Sequence, residues 1–424
     1  MKIPIHTPAR KRLTVAIATL LSLAYLGVAA SKLAASWLGD RVELSSLERA
    51  ARIDPGDADY RNHLGRYYAL VARDPGSAIK DYKAAVQLNP HSARYWFDLA
   101  SAYQVLGDTP NQTAALEHAI QADSMTPDVA WEAGNLYLVQ GENEKALREL
   151  SVVIANDPTL SEAALQYCWR IQPNADVLLR DVMPARADAY AALLSLLESK
   201  QDTEGTVKTW NALIRAPQPF ELRNAYDYIR YLISHKEVDQ AVVVWRQTAD
   251  RFGLSSYLAS PNNLVVNGNF SLKVLGDAFD WRYERQSGVL VNLDSSDFHA
   301  GRNSLLISFD GPGIADAGIY QLIPVQPDTT YDFTAYYKNG EMEGAGGAHF
   351  TVQDMYTQQV YYESEELKDA GFWKSADGEF TTGPDCKLVV LHLRRLPAGS
   401  PIRGKLWVGD FHIVRKPADP TSHS

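Results

Sequence analysis

The chain has 424 residues, a formal net charge of −10 and only two cysteines. This length predicts two or three domains, and the acidic balance argues against a general nucleic-acid binder, which carries a basic face. Two thiols are too few for a zinc site built on thiolates. Because Cys168 and Cys386 fall in separate predicted domains, no structural disulfide is expected.

An apolar segment near the N-terminus predicts a membrane helix. Residues 1–12 are basic and precede the uncharged stretch Leu13–Ala30, whose 18 residues approach the length that spans a bilayer. A basic flank stays in the cytoplasm, so we expect an anchor over 13–31 and export of the remaining chain. The alternative is a signal peptide that is cleaved, which would give a secreted protein, because Val28, Ala29 and Ala30 are small residues of the kind found at a cleavage site.

An internal repeat follows this segment. Pro90 and Pro158 are 68 positions apart, which is two units of 34, and Ser124 lies midway between them. Each unit carries a small residue and, three positions later, an aromatic residue. These pairs are Gly65 and Tyr68, Ala100 and Tyr103, and Gly134 and Tyr137.

This pattern resembles the tetratricopeptide repeat, in which the small residue lets two antiparallel helices approach and the aromatic ring fills the gap. The resemblance implies a helical solenoid over 37–258. Leu47 and Ala50 then belong to the closing helix of an earlier, incomplete unit. One extra residue in the first full unit is expected in the loop 73–76, and segments 187–218 and 222–253 are interpreted as degenerate repeats.

Stacked repeats of this kind form one groove lined by the first helix of each pair. We expect this groove to bind a protein or peptide partner, since large aromatic rings exposed on a surface indicate an interaction site. The alternative is an ordinary solvated helix face, with Trp131 packed against a neighbouring repeat. The family geometry places these side chains toward the groove: Asn62, Arg66, Arg94, Phe97, Gln104, Trp131 and Asn135.

Beyond residue 260 the helical periodicity gives way to short alternating runs separated by turn residues, which is typical of a β-sandwich or jelly roll. The predicted strands are Leu264–Asn267, Gly288–Leu293, Ser304–Phe309, Ile319–Pro324, Thr330–Lys338, His349–Gln353, Val360–Glu363, Lys387–Arg394 and Lys405–Val414.

The segments LVVNGNF (264–270), GRNSL (301–305) and GKLWVGDF (404–411) resemble those of bacterial carbohydrate-binding modules of the galactose-binding-like type. The resemblance covers 261–416 and implies a jelly-roll fold. Relatives often hold a calcium ion between an acid after the opening motif and an acid on the last strand. Here Ser271 occupies the first position and Asp410 the second. Because calcium prefers several carboxylates, no tight metal site is expected. The alternative is a weak calcium site near Asp410 that uses backbone oxygens, and no other cofactor is predicted.

Sugar binding requires exposed aromatic rings with polar groups beside them. The candidates are Trp281, Tyr283, Tyr336, Tyr361 and Trp373. For Trp281 and Trp373 the alternative is core packing. Strand alternation predicts that the pairs Tyr336–Tyr337 and Tyr361–Tyr362 each send one ring inward and one outward.

No phosphate loop, dinucleotide fingerprint or nucleophile elbow is present in the sequence. Four histidines of the β region lack metal-ligand spacing and are interpreted as surface or lightly buried residues. They are His299, His349, His392 and His412.

Together these features predict a multidomain chain, α then β. It consists of an N-terminal membrane helix, a repeat solenoid, a C-terminal jelly-roll sandwich and a flexible tail over 417–424. The predicted function is a non-catalytic periplasmic scaffold on the bacterial inner membrane, which binds a protein partner and glycan. By analogy of architecture it acts in cell-surface polysaccharide assembly or export. The alternatives are a glycan-active enzyme with its site in the sandwich and a purely structural docking module.

Overall fold

The computed structural model describes residues 8–311, 316–344, 346–396 and 400–417. The first seven residues of the predicted basic segment, and all but the first residue of the predicted tail, therefore lie outside the described residues. Contacts divide the chain into two compact units. One comprises residues 1–200 with 204–209, and the other comprises residues 201–203 with 210–424.

The part of the chain that the structure describes forms fourteen α-helices followed by ten strands. The helices are α1 (Pro8–Gly39), α2 (Leu44–Ile53), α3 (Ala58–Tyr67), α4 (Pro75–Leu88), α5 (Ala93–Leu106), α6 (Thr109–Ala122), α7 (Pro127–Gln140), α8 (Asn143–Asn156), α9 (Ser161–Ile171), α10 (Ala175–Asp181), α11 (Ala187–Lys200), α12 (Thr203–Arg215), α13 (Leu222–Ser234) and α14 (Val238–Phe252).

Helix α1 is long and apolar enough to cross a membrane. Its most apolar 18-residue window has a mean hydropathy of 2.1 and buries no residue within the protein. An unburied apolar surface of this length is costly in water, so it is compatible with a single-pass anchor or a signal sequence.

The C-terminal turns of α1 belong to the repeat stack. Ala35 is fully buried, Gly39 lies against the ring of Tyr60, and Lys32 pairs with Asp54 at 2.9 Å just beyond the end of α2. The prediction of an incomplete first unit is therefore wrong, because these turns supply the helix that pairs with α2.

The next three helix pairs, α3–α4, α5–α6 and α7–α8, are the predicted full repeats. In the first and third of these pairs, a glycine of the first helix lies where the second helix crosses it. A Cβ at Gly65 would lie 2.5 Å from the Tyr82 ring, and one at Gly134 would lie 3.4 Å from Leu150. The small residues therefore allow close helix approach, and the predicted degenerate repeats are also helical, as α11–α12 and α13–α14.

The extra residue of the first full repeat lies within a helix. Gly107 and Gly141 end α5 and α7 in the left-handed conformation, four residues after the repeat tyrosine. In the first repeat a π-helical turn over Tyr68–Ala72 follows α3, and Arg73 takes the left-handed position with a φ of 55°. The expectation of a longer loop at 73–76 is wrong, because the π-helical turn accommodates the insertion.

The ten strands form a sandwich of two antiparallel sheets. They are β1 (Arg282–Tyr283), β2 (Val289–Asp294), β3 (Ser304–Gly311), β4 (Asp316–Pro324), β5 (Thr330–Gly344), β6 (Ala348–Asp354), β7 (Val360–Glu363), β8 (Lys374–Thr381), β9 (Leu388–Arg395) and β10 (Ile402–Arg415). The first sheet has the order β1-β4-β9-β6-β7, and the second has the order β2-β3-β10-β5-β8. Their inner faces enclose one apolar core.

Three elements differ from the predicted strands, and one of them is the two-residue strand β1, which was not predicted. Residues 264–267 form no strand, although Leu264 N–H donates to the Ile413 carbonyl at 2.9 Å. Strand β8 was not predicted, because it lies at a sheet edge where most of its side chains are exposed and apolar alternation is weak.

Within the second unit, the last helix pair is bonded to loops and strand ends of the sandwich. The Tyr356 hydroxyl donates to the Ile233 carbonyl at 2.8 Å, and Lys387 pairs with Asp239 at 2.5 Å. Arg230 forms an ion pair with Asp277. These contacts join α13 and α14 to the sandwich.

Candidate binding sites

Two cavities open between the first helices of neighbouring repeats. One has a volume of about 470 Å³ and is bounded by Arg66, Leu70, Tyr82, Asp98 and Val105, among others. The other has a volume of about 360 Å³ and lies one helix pair earlier. Because Arg66 and Leu70 line both cavities, the two form neighbouring parts of one surface.

Two predicted groove residues do not face this surface. Only 4% of Asn62 and 3% of Phe97 is exposed. The Asn62 amide donates to Asp98 at 2.9 Å, and Phe97 belongs to the core of the first repeats. Their predicted exposure is wrong, because this position of the first helix packs against the neighbouring pair.

The other predicted groove residues keep some exposure. Arg66 and Arg94 are exposed, and Gln104 and Asn135 are half-buried. Trp131 is also half-buried and packs edge-on against Tyr167, with ring centroids 5.5 Å apart. Its ring therefore contributes to repeat packing and offers little free face.

Charged groups link three successive first helices. Arg94 on α5 lies 3.6 Å from Asp98 on the same helix, and it donates to Glu132 on α7 at 3.2 Å. The Asn62 side-chain amide on α3 donates a hydrogen bond to the other carboxylate oxygen of Asp98. Burial raises the pKa of Glu132, and the positive charge of Arg94 opposes that shift. Arg94 is thus already engaged within the solenoid.

An exposed apolar row, which the sequence interpretation missed, follows the same helices. Leu70, Val105 and Val139 are 71%, 75% and 68% exposed. Their spacings of 35 and 34 positions repeat the unit length, so the signal was present in the sequence. Leu70 and Val105 line the larger cavity. A regular row of exposed aliphatic side chains is typical of a protein-binding surface.

In the sandwich, Trp281 is a core residue. Only 2% of it is exposed, its indole N–H donates to the Asn267 carbonyl at 3.3 Å, and its ring centroid lies 4.8 Å from that of Phe411. Its assignment as a glycan-binding candidate is wrong, because the ring has no face open to a ligand.

Tyr336 and Trp373 lie together on the second sheet and its loops. The Tyr336 ring stacks on His299 at 3.6 Å, and the Trp373 indole N–H donates to Asp297 at 3.0 Å. Lys338 also pairs with Asp297 at 2.5 Å. Most polar atoms of this cluster are bonded to one another, and the histidine covers one face of Tyr336.

The remaining tyrosines follow the predicted alternation in one pair only. Tyr337 is buried and Tyr336 points outward, as predicted. Tyr361 and Tyr362 are both half-buried against the core, so the prediction of one free ring there is wrong. An irregular pairing between β6 and β7 at this point disturbs the alternation. Tyr283 is 37% exposed and stays a candidate.

The outer face of the first sheet brings together polar side chains that are distant in sequence. In register, Arg282 of β1 lies opposite Tyr320 of β4, which lies opposite His392 of β9, and His392 lies opposite Thr351 of β6. Arg394 lies on the same face and donates to the Gln353 side chain at 3.3 Å. A polar row therefore crosses four adjacent strands.

Several atoms of this row are buried and have no hydrogen-bond partner among the described residues. They are both ring nitrogens of His392, the Thr351 hydroxyl and the Nε atoms of Arg282 and Arg394. His392 Nδ1 is 3.5 Å from Asp316, outside hydrogen-bond geometry. Buried polar groups are normally paired, so a cluster of unpaired ones requires an additional partner, such as ordered water or a ligand.

Asp410 lies between two histidines of the sandwich. Its two carboxylate oxygens lie 2.9 Å from His299 Nδ1 and His412 Nε2. Among residues 8–311, 316–344, 346–396 and 400–417, no group of three or more acids, histidines or cysteines could hold a metal ion. The surroundings of Asp410 thus do not fit a carboxylate-rich calcium site.

Comparison with known proteins agrees with both halves of this description. Residues 262–395 match the family model of a carbohydrate binding domain. The chain is similar to tetratricopeptide repeat protein 37 of Xenopus laevis, with 30% identity over 123 residues. It is also similar to an inactive TPR repeat-containing thioredoxin of Arabidopsis thaliana, with 29% identity over 189 residues.

The chain joins tetratricopeptide-like repeats to a carbohydrate-binding-like domain. The matches cover 28% and 41% of this chain but only 8% and 25% of these two relatives, so what those whole proteins do does not transfer.

Solved structures of both types are also similar to this chain. A structure described as CBM4 structure and function has 15% identity over 35% of this chain and 98% of its own, with a TM-score of 0.28. A xylan-binding domain from Paenibacillus barcinonensis has 16% identity over 36% and 94%, with a TM-score of 0.26. MamA has 21% identity over 41% and 85%, with a TM-score of 0.24.

Proposed function

We propose that this chain is a non-catalytic scaffold tethered to the bacterial inner membrane, with its repeats and sandwich in the periplasm. It binds a protein partner through the repeats and glycan through the sandwich, during assembly or export of a cell-surface polysaccharide. The row of buried, unpaired polar atoms on the outer face of the first sheet carries this proposal.

A polysaccharide suits this face because it supplies many hydroxyl groups along an extended chain. The Tyr320 ring lies 6.0 Å from that of His392 and offers a partly exposed surface beside the unpaired donors. One stacked ring contributes about 1 kcal/mol, and each net hydrogen bond contributes a similar amount. A few such contacts give roughly micromolar to millimolar affinity. Weak binding suits a protein that handles and releases a moving polymer.

In gels that contain a bacterial polysaccharide to which it binds, we expect the full chain in detergent to migrate more slowly than in gels without that polysaccharide. Tyr320→Ala should abolish the retardation, because it removes the ring at the centre of the row. Tyr336→Ala, on the other sheet, serves as the matched control and should retain it. Equal migration on a broad polysaccharide panel would refute glycan binding. Release of new reducing ends would instead support the enzymatic alternative.

The apolar row formed by Leu70, Val105 and Val139 supports the protein-binding part of the proposal. We propose that an extended segment of another envelope protein lies along it. Burial of two such side chains contributes about 3 kcal/mol, which corresponds to roughly a hundredfold in affinity.

A photocrosslinking residue at Val139 should yield a discrete adduct in cells. The double variant Leu70→Ser, Val105→Ser should remove the adduct without unfolding the repeats, since both side chains are largely exposed. Leu290→Ser, which alters an exposed leucine of the sandwich, should leave it intact. An adduct that survives the double variant would exclude this row as the binding surface.

The proposed topology rests on the basic flank and on α1. A reporter that is active only in the periplasm, fused after residue 417, should be active. A silent periplasmic fusion beside an active cytoplasmic one would contradict export.

A further inference from the structure

The unpaired atoms on the outer face of the first sheet are mostly hydrogen-bond donors. The Nε atoms of Arg282 and Arg394 can only donate, and both ring nitrogens of His392 lack a partner among the described residues. Of this set only the Thr351 hydroxyl and a neutral His392 ring can also accept. A ligand that satisfies this face must therefore supply acceptor atoms.

The positive charge of Arg394 is also not neutralised. Its terminal nitrogen donates to the neutral side-chain oxygen of Gln353 at 3.3 Å. Asp316, its cross-strand partner on β4, lies 3.5 Å from His392 and forms no ion pair with Arg394 among the described residues. Arg282, by contrast, already pairs with Asp277 at 3.1 Å. Arg394 is thus a half-buried cation beside an imidazole that makes no hydrogen bond within the described part of the chain, on a face with unmet donors.

We infer that the glycan bound at this face is acidic, and that a carboxylate of a uronic acid-type residue accepts from Arg394 beside His392. A carboxylate supplies two acceptor oxygens in a plane, which matches the donor geometry of a guanidinium group. The inference rests on the proposed glycan function of the same face and adds the chemical class of the ligand.

The test compares matched polymers. Polygalacturonate and alginate are each paired with their carboxyl-reduced, neutral forms, and binding to the full chain in detergent is measured by titration. We expect at least one acidic polymer to bind roughly tenfold more tightly than its neutral form, since charge-assisted hydrogen bonds are about twice as strong as neutral ones. That preference should fall as salt is raised.

Variants assign the effect to this face. Arg394→Gln should lose roughly tenfold in affinity for the acidic polymer and little for the neutral one. The matched control is Arg403→Gln, which removes the same charge from an exposed position on the second sheet. Salt dependence of the unmodified protein provides a reading that does not depend on how any variant folds.

Each outcome is decisive. Equal binding of acidic and neutral forms overturns the acidic preference and leaves the glycan function standing. An equal loss in Arg403→Gln overturns the inference in favour of general attraction. Binding to none of a broad panel, neutral polymers included, refutes the proposed function itself.

Discussion

Gly65→Ala is expected to destabilise the first full repeat by about 2–3 kcal/mol. The added Cβ would lie 2.5 Å from two carbons of the Tyr82 ring. Only 3% of Tyr82 is exposed, so a shift of its ring disturbs packed neighbours. The higher helix propensity of alanine, worth about 1 kcal/mol, offsets only part of this cost.

The equivalent glycine of the third repeat provides the matched control. At Gly134 the nearest atoms to an added Cβ belong to the flexible end of Leu150, at 3.4 Å. Gly134→Ala should therefore be neutral or stabilising by up to about 1 kcal/mol. In the full chain, hydrogen exchange in α3 and α4 should accelerate about thirtyfold for Gly65→Ala only. Equal rates in both variants would contradict the different packing of the two glycines.

The repeats could be predicted because the residues that determine their packing are close together in the sequence. A small residue at Gly65 or Gly134, with a tyrosine three positions later, directly reflects how two adjacent helices meet. The surface of those helices was harder to predict. Phe97 and Val105 lie on the same helix and are both apolar, yet one is buried and the other exposed. Helical periodicity alone does not say which turn the next repeat covers.

The polar face of the first sheet could not be predicted for a different reason. Arg282, Tyr320, His392 and Thr351 come from four strands, and only the pairing register places them in a row. That register depends on the whole sandwich and on irregular pairings such as the one within β4 and β9. Each of these residues, taken alone in the sequence, is an ordinary polar side chain on a strand.

The second large effect is expected at Asp280, a fully buried carboxyl group in the sandwich. One carboxylate oxygen accepts from the Leu275 N–H at 2.7 Å, and the other has no hydrogen-bond partner within the part of the chain that the structure describes. Burial raises the pKa of Asp280 to about 6, although hydrogen bonds to the carboxylate oppose the shift. The folded protein therefore pays a desolvation penalty to keep this group ionised at neutral pH.

The raised pKa fixes the sign of the pH dependence. The folded state retains a proton up to about pH 6, whereas the unfolded chain releases it near pH 4. The contribution to stability is thus fully present below about pH 4 and is lost as pH rises through about 6. A shift of this size corresponds to about 3 kcal/mol.

Asp280→Asn should remove this dependence, because the amide stays neutral and its oxygen can still accept from Leu275. The free energy of unfolding of the variant, relative to the unmodified protein, should rise by about 3 kcal/mol between pH 4 and pH 7.5. Proteolysis in urea, which detects survival of the sandwich in the full chain, measures this difference. Asp332→Asn, at an exposed position on β5, is the control and should give a constant difference. All other titrating groups are common to the variant and the unmodified protein. If the difference in their free energies of unfolding does not change with pH, ionisation of Asp280 does not destabilise the folded protein, and the prediction is wrong.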